Sequence, residues 1–262
     1  MRILVTNDDG VHSPGLWSLV EALNDIGDVS VVAPDRDLSG VGTAMTLLAV
    51  VRVQDVASPV DGVEVRSVQG TPSDCVILAT GSLFSDPFDL LVSGINPGAN
   101  MGLDVLGSGT FGGALQGYYH NIPSIAISAV YSAETAVRYE AAAQTARALA
   151  RGLSNSPSKG PLLLNVNLPD VEPDRIERVE VTRLGSKAYL QKVERVQEGR
   201  RAHYWIRLNM PVVDHSAEGT DIWAVRNGRI SITPMDLGLV EGTPPQIVEA
   251  LTDEVRSAMG LR

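Results

Sequence analysis

The chain has 262 residues, of which 44% are hydrophobic and 20% charged, and it carries a formal net charge of −10. Such a length fits one large domain or one domain with an appendage, and the composition supports a sizeable core and excludes wholesale disorder. The acidic balance excludes a binder of nucleic acid polymers, which needs a basic surface, but not a small anion held by a metal and a few backbone N–H groups.

Arg2 to Thr6 reads as a short buried strand built on Ile3, Leu4 and Val5, and it ends in Asn7-Asp8-Asp9-Gly10. Two adjacent carboxylates at the end of a core strand repel each other and resist desolvation. A bound hard cation with oxygen ligands makes that placement tolerable. A plain turn does so too, since Asn, Asp and Gly are turn formers. Ser13 suits a helix cap and Pro14 the first helical position, and Leu16, Leu19, Val20, Leu23 and Ile26 recur at helical spacing. Asp28 to Ala33 is a second strand, followed by a loop over Pro34–Gly40. Strand, helix, strand is the unit of an open parallel sheet, whose ligands sit beyond the carboxyl ends of the strands.

Leu47 to Val56 reads as extended, and Val63 to Val68 alternates as a strand. Gly70-Thr71-Pro72-Ser73-Asp74 is a helix start with capping-box spacing, the helix running to about Thr80. Cys75 is the one cysteine. It sits in an apolar context, so a buried structural thiol is expected and an internal disulfide is excluded. Asp89 to Ser93 is a third core strand that opens into a loop over Gly94–Gly102, where Asn96 offers a neutral, hard carbonyl oxygen. A helix is expected from Gly109 to His120. Its interior glycines Gly112, Gly113 and Gly117 each cost about 1 kcal/mol against Ala. Close packing on the sheet accounts for them. The small, polar start Ser108-Gly109-Thr110 also offers N–H groups to an anion such as phosphate.

Ile122 to Ala129 is a fourth core strand, Ala133 to Leu153 a long helix, Pro161 to Val166 a strand and Ile176 to Thr182 an extended segment. A β-hairpin follows, Tyr189–Arg195 with Ala202–Leu208, carrying Tyr204, Trp205 and Ile206. These mark a partner surface or pack on the chain's own body. Gly219–Val225 is a short helix, Arg229–Thr233 a strand and Pro244–Met259 a terminal amphipathic helix. The expected class is α/β: a mostly parallel sheet with helices on both faces, plus a projecting hairpin and a C-terminal helical segment. Residues 1–182 are expected to form the sheet domain and residues 183–262 to follow as an appendage, with 217–236 packing back on the core. Met1 leads directly into a strand, without a signal peptide's basic start, and no apolar stretch approaches about 18 residues, so a cytoplasmic protein without a membrane span is expected.

The first strand is not followed by Gly-x-Gly-x-x-Gly, and neither a P-loop nor Gly-x-Ser-x-Gly occurs. His12, His120, His203 and His215 lack zinc spacing. An oxygen-ligand site remains: Asp8, Asp9, a hydroxyl or carboxylate from the Asp35–Ser39 loop, and Asn96. Such ligands beside a helix N-terminus match phosphoryl transfer or phosphate-ester hydrolysis.

Several ordered motifs together resemble one family: Asn7-Asp8-Asp9-Gly10, Ala33-Pro34-Asp35-Arg36 with Ser39-Gly40, Gly70-Thr71-Pro72-Ser73-Asp74-Cys75, Ser93-Gly94-Ile95-Asn96 with Gly98 and Asn100, Ser108-Gly109-Thr110, and Ser231-Ile232-Thr233-Pro234. They are similar to the SurE family of survival-protein phosphatases, or 5′/3′-nucleotidases. The resemblance implies a Rossmann-like three-layer α/β/α core and one divalent cation per subunit, Mg²⁺ or Mn²⁺, on Asp8, Asp9, Ser39 and Asn96. It places Asn100 and Ser108-Gly109-Thr110 by the phosphate. It implies hydrolysis of nucleoside monophosphates, and of short polyphosphate in some members. It implies a homodimer or homotetramer that exchanges the hairpin and C-terminal segment. Gln116 departs from the Glu of many members, and Pro97 stiffens the loop after Asn96; neither removes a ligand. For the nucleophile, a metal-activated water with Asp8 as base and a direct aspartyl-phosphate both stay open. Two other classes fit part of the pattern: a Mg²⁺-binding receiver-like signalling domain and a catalytically silent nucleotide-binding subunit. A receiver needs an acceptor Asp where this chain has Asn96.

Overall fold

The structure, a computed structural model, describes residues 1–131, 136–155, 162–186, 189–198, 201–211 and 217–235. Strands β1 (Arg2–Thr6), β2 (Asp28–Pro34), β4 (Glu64–Val68), β5 (Leu90–Pro97), β6 (Ser124–Ala129) and β7 (Leu163–Leu168) are mutually parallel. Strand β3 (Val53–Asp55) runs antiparallel on β4. At the other end β11 (Ile230–Pro234) runs antiparallel to β7 and carries β8 (Val179–Val181) on its outer edge. The resulting nine-stranded sheet has the order β3-β4-β2-β1-β5-β6-β7-β11-β8. The chain moves left from β1 to β2 and later right from β5 to β6. The order therefore reverses between β1 and β5, the place where open α/β sheets form a crevice.

Side-chain alternation in β1 assigns the two faces. Ile3 and Val5 pack with Leu16, Leu19, Val20 and Leu23 of α1 (Pro14–Leu23) and with Ala142, Ala143, Ala146 and Ala150 of α4 (Tyr139–Ser154). Leu4 packs oppositely, with Cys75 and Val76 of α2 (Pro72–Leu78) and Phe111, Ala114 and Leu115 of α3 (Gly109–Tyr119). Each fully buried Leu, Ile, Val or Phe contributes about 1.5–3 kcal/mol. The three-layer architecture follows from strands that are apolar on both faces. Cys75 is buried in the second layer, as its apolar neighbours required.

Local chemistry sets the helix starts. Ser13 Oγ accepts the Leu16 N–H at 3.3 Å with Pro14 beside it. Thr71 and Asp74 form the reciprocal capping box, at 3.1 and 2.8 Å. Ser108 Oγ accepts the Phe111 N–H at 3.1 Å. The glycines of α3 have their packing reason. A Cβ at Gly113 would stand 3.0 Å from Thr6 and from Ser93, and one at Gly117 would stand 2.5 Å from Ser124 Oγ.

Several boundaries differ from expectation. Only Val53–Asp55 of the Leu47–Val56 segment joins the sheet; Leu47 and Leu48 are exposed and have no strand partner. Strand β5 does not stop at Ser93 but continues to Pro97, because β6 offers Ser128 and Ala129 as partners across a register shift. Helix α1 ends at Leu23 rather than Ile26, and α2 ends at Leu78 and passes into a wider turn over Ala79–Leu83. Helix α4 starts at Tyr139, not Ala133, and β7 starts at Leu163. The expected helix over Pro244–Met259 lies outside the described residues.

The hairpin is present as β9 (Tyr189–Glu198) and β10 (Arg201–Pro211), paired only with each other. Tyr204, Trp205 and Ile206 are exposed, so they do not bury themselves on the chain's own described body. Helix α5 (Asp221–Arg226), capped by Thr220, leads into β11, which lies within the sheet between β7 and β8.

Candidate active site

The ends of β1 and β5 meet the start of α3 at the point where the strand order reverses. Asp8 is buried there at 3% exposure. Thr110 Oγ donates to Asp8 Oδ1 at 2.5 Å, and the same hydroxyl lies 3.2 Å from Asn96 Oδ1. The orientation of Asn96 is held by its Nδ2, which donates to Gly98 O at 2.8 Å and leaves Oδ1 toward the Thr110 hydroxyl. The Thr110 backbone N–H also reaches Asp8. Glycine at position 109 is required for this approach: a Cβ would stand 2.7 Å from the Asp8 Cβ. The helix start is therefore pressed directly onto the first acidic residue, where its positive dipole end favours an anion.

Asn7 organises the turn instead of entering the site, donating to Gly10 O at 3.1 Å and Ser13 Oγ at 2.8 Å. Gly10, at φ +98°, packs on the Arg36 backbone, and the Leu38 N–H donates to the Asp8 carbonyl at 2.8 Å. These contacts bring the loop after β2 against the acidic pair. Ser39 is on that loop and exposed; its hydroxyl donates to Asp37 Oδ1 at 2.6 Å.

Burial pushes the Asp8 carboxyl above the usual range, against the lowering hydrogen bonds from Thr110. Burial, then the neighbouring Asp8 and Asp37 charges, pushes the Asp9 carboxyl up to about 7. Among the described residues Asp9 Oδ2 is buried with no hydrogen-bond partner. A second acidic side chain with an orphaned oxygen beside a buried carboxylate is the pattern that a hard cation resolves. No three His, Cys, Asp or Glu side chains converge among the described residues. The donor set is thus two carboxylates plus neutral oxygens, which fits an oxygen-seeking divalent cation that keeps part of its water shell.

Asn100 is placed close by but is turned into the protein. Its Nδ2 donates to Ser128 Oγ at 2.9 Å, its N–H donates to Asn167 Oδ1 at 2.9 Å, and its carbonyl accepts from Asn165 at 2.8 Å and Asn167 at 3.0 Å. Ser108 spends its hydroxyl on the helix cap and Thr110 its donors on Asp8. Gly109, the first helical residue, has an N–H without an intrahelical acceptor. Beside Asp9 opens a cleft of about 430 Å³ lined by His12, Asp35, Arg36, Pro97 and Tyr139 among others. Sequence reasoning misses Asn165, Asn167 and Tyr139. Two asparagines two apart in an otherwise apolar strand, Leu163-Leu-Asn-Val-Asn-Leu168, are the available signal for the first two. Tyr139 has none.

The fold and site together define a Rossmann-like α/β/α protein with an acidic pair at its switch point. The family model described as "Survival protein SurE" matches residues 3–191. A protein from Dehalococcoides mccartyi (strain CBDB1) named "5'-nucleotidase SurE" is 46% identical over 235 residues, 90% of this chain and 88% of that one. One of the same name from Vibrio parahaemolyticus serotype O3:K6 is 41% identical over 243 residues, 91% and 90% of the two chains. The crystal structure of the SurE protein from Aquifex aeolicus superposes with a TM-score of 0.76 at 34% identity, covering 99% of this chain and 100% of that one. The chain belongs to the SurE family.

Proposed function

We propose that this protein is a 5′-nucleotidase that hydrolyses nucleoside 5′-monophosphates to nucleoside and phosphate with one divalent cation, Mg²⁺ or Mn²⁺, per subunit. The observation that carries this reading is the Thr110 hydroxyl, which touches Asp8 and Asn96 at once and so ties two of the expected ligand positions to the helix start. Asp8, Asp9, Asn96 and Ser39 would hold the cation. When bound, it supplies Lewis-acid polarisation of the phosphoryl oxygens.

The chain's own groups do the rest. Thr110 holds the Asp8 carboxylate through its hydroxyl, and Asp8 takes a proton from an attacking water. The Gly109 N–H at the start of α3 receives the phosphate oxygens, with Ser108 beside it, while Thr110 and Asn100, whose donors are held by Asp8, Ser128 and Asn167, shape the site around it. The cleft beside Asp9 receives the nucleoside, with Tyr139 and Arg36 on its walls. Hydrolysis of 3′-monophosphates and short polyphosphate extends the same phosphate site. Residues 1–182 act as the catalytic core. The exposed hairpin of 183–262 pairs copies of the chain into a homodimer or homotetramer in the cytoplasm. No helix among the described residues is long and apolar enough to cross a membrane.

Phosphate release over a nucleotide panel, with EDTA, Mg²⁺ or Mn²⁺, tests the reading. Asp9→Asn and Asn96→Ala are expected to remove metal-stimulated release while remaining folded. Undiminished release by both in EDTA refutes it.

A further inference from the structure

Asp221 is fully buried at the start of α5, away from the acidic pair. A buried carboxylate is costly unless its oxygens are satisfied. Three backbone donors satisfy this one. Oδ2 accepts the Gly102 N–H at 2.7 Å, and Oδ1 accepts the Gly185 N–H at 2.7 Å and the Ile222 N–H at 2.8 Å. Helix α5 is docked by the packing of Ile222 and Val225 with Met101 and by backbone pairing at its start, the Asp221 N–H donating to Arg183 O at 3.0 Å. The carboxylate adds what neither contact supplies: it joins Gly102 and Gly185 at one point.

Both segments matter to the site. Gly102 is near the middle of the connection whose ends are Asn96 and Thr110, the residues in contact at 3.2 Å. Upstream of Gly102, Asn100 is gripped by Asn165 and Asn167. Downstream, a 3₁₀ turn over Leu103–Gly107 leads to the Ser108 cap. Gly185 stands just before the hairpin. The two segments touch directly as well: the Leu103 N–H donates to Ser186 O at 3.2 Å, and a Cβ at Gly102 (φ +55°) would stand 1.7 Å from that oxygen.

We propose that Asp221 is a positioning residue of the active site, a latch that fixes the Asn96–Thr110 connection and couples it to the base of the hairpin. The inference rests on the reading of Asn96 as a metal ligand. Losing the latch leaves the midpoint of the connection held to the base of the hairpin by the Leu103–Ser186 hydrogen bond, and so loosens the approach of Thr110 to Asn96.

The test uses the full chain, titrated calorimetrically with Mn²⁺ alone and assayed for kcat and KM on AMP, with thermal midpoints alongside. Asp221→Asn replaces one acceptor oxygen by a donor. It is expected to weaken Mn²⁺ binding and to lower kcat about tenfold or more, the size usual for a supporting group one layer behind the ligands. Ile222→Ala loosens the same helix without touching the carboxylate. It is expected to lower the midpoint and leave Mn²⁺ affinity and kcat within about twofold, since it alters none of the latch's hydrogen bonds. Equal losses of affinity in the two variants, or none in Asp221→Asn, overturn the proposal. Should Asp221→Asn fail to fold, Gly185→Ala read against Ile222→Ala decides: its Cβ would meet Ile222 Cδ1 at 2.8 Å and crowd Asp221 Oδ1 at 3.1 Å, and the Ile222→Ala titration accounts for the first contact. Weakened Mn²⁺ binding in it supports the latch and unchanged binding overturns it. Asn96→Ala in the same titration separates the two readings. Unchanged affinity there overturns the ligand assignment, whereas a loss there with none in Asp221→Asn overturns the latch alone.

Discussion

Replacing Asp9 by Asn should stabilise the metal-free protein, and by an amount that grows with pH. The Asp9 carboxyl rises from 3.8 to about 7 on folding, through burial and then through the Asp8 and Asp37 charges. Its folded form holds a proton that its unfolded form has lost, so stability falls as pH climbs from about 4 through about 7. At 1.36 kcal/mol per pKa unit, ionising Asp9 removes on the order of 2–3 kcal/mol of stability between about pH 5 and about pH 8. Asp9→Asn has nothing to ionise and escapes that loss. Urea unfolding in EDTA at the two pH values, for parent and variant, measures the gap. A gap that widens toward pH 8 is expected. Mn²⁺ at about one hundred times its dissociation constant should then return about 2.7 kcal/mol to the parent and little to Asp9→Asn. A gap independent of pH, or equal stabilisation of both proteins by Mn²⁺, refutes the reasoning.

Thr110→Val keeps the shape but deletes the hydroxyl on Asp8 and Asn96, and kcat/KM should fall about ten- to hundredfold, measured by phosphate release. Because that hydrogen bond lowers the Asp8 pKa, its loss should also move the acid limb of the pH–rate profile to higher pH. Gly109→Ala drives a methyl group into Asp8, whose Cβ is 2.7 Å from the position the new carbon would occupy, and should cost activity well beyond its effect on the thermal midpoint. Asp74 caps α2 and also accepts the Thr46 N–H at 2.8 Å and hydroxyl at 2.6 Å. Asp74→Ala should lower unfolding free energy by about 2–4 kcal/mol and speed proteolysis around Met45–Val50, read by urea titration and timed digestion.

Short-range chemistry is legible in the sequence, and the acidic pair shows why. A strand of Ile, Leu and Val that stops on Asn-Asp-Asp-Gly states both its burial and its end, and the Thr71–Asp74 capping box is complete within four residues. Strand β5 misleads for the same local reason. Gly94-Ile95-Asn96-Pro97 has the composition of a loop, yet the pairing of Asn96 with Ser128 keeps it in the sheet, and that partner comes from another strand. Long-range partnerships are invisible in proportion to their reach. Thr110 has the composition of a phosphate cradle, but its nearest anion is Asp8, 102 residues earlier. Asp221 finds Gly102 across 119 residues, and Asn167 finds Asn100 across 67.

The same difference bears on the site itself. The ligands proposed for it announce themselves because a hard cation would demand oxygen-bearing side chains, which are conspicuous at the ends of apolar strands. The groups that aim them satisfy backbone donors and hydroxyls, which any buried Asp, Asn or Thr can do, so residue type alone does not single them out. Thr110 shows the two roles in a single residue. A threonine at a helix start reads as a phosphate ligand, and its geometry here makes it first the support of Asp8. With its hydroxyl given to Asp8, Thr110 has little left to offer an anion, and a cation held by Asp8 and Asp9 would supply the positive charge that the helix start alone does not. Phosphate alone should therefore bind weakly in EDTA and tightly with Mn²⁺, an order that calorimetry on the parent protein can check. Equal affinity in both conditions would mean that the helix start binds anions without the acidic pair.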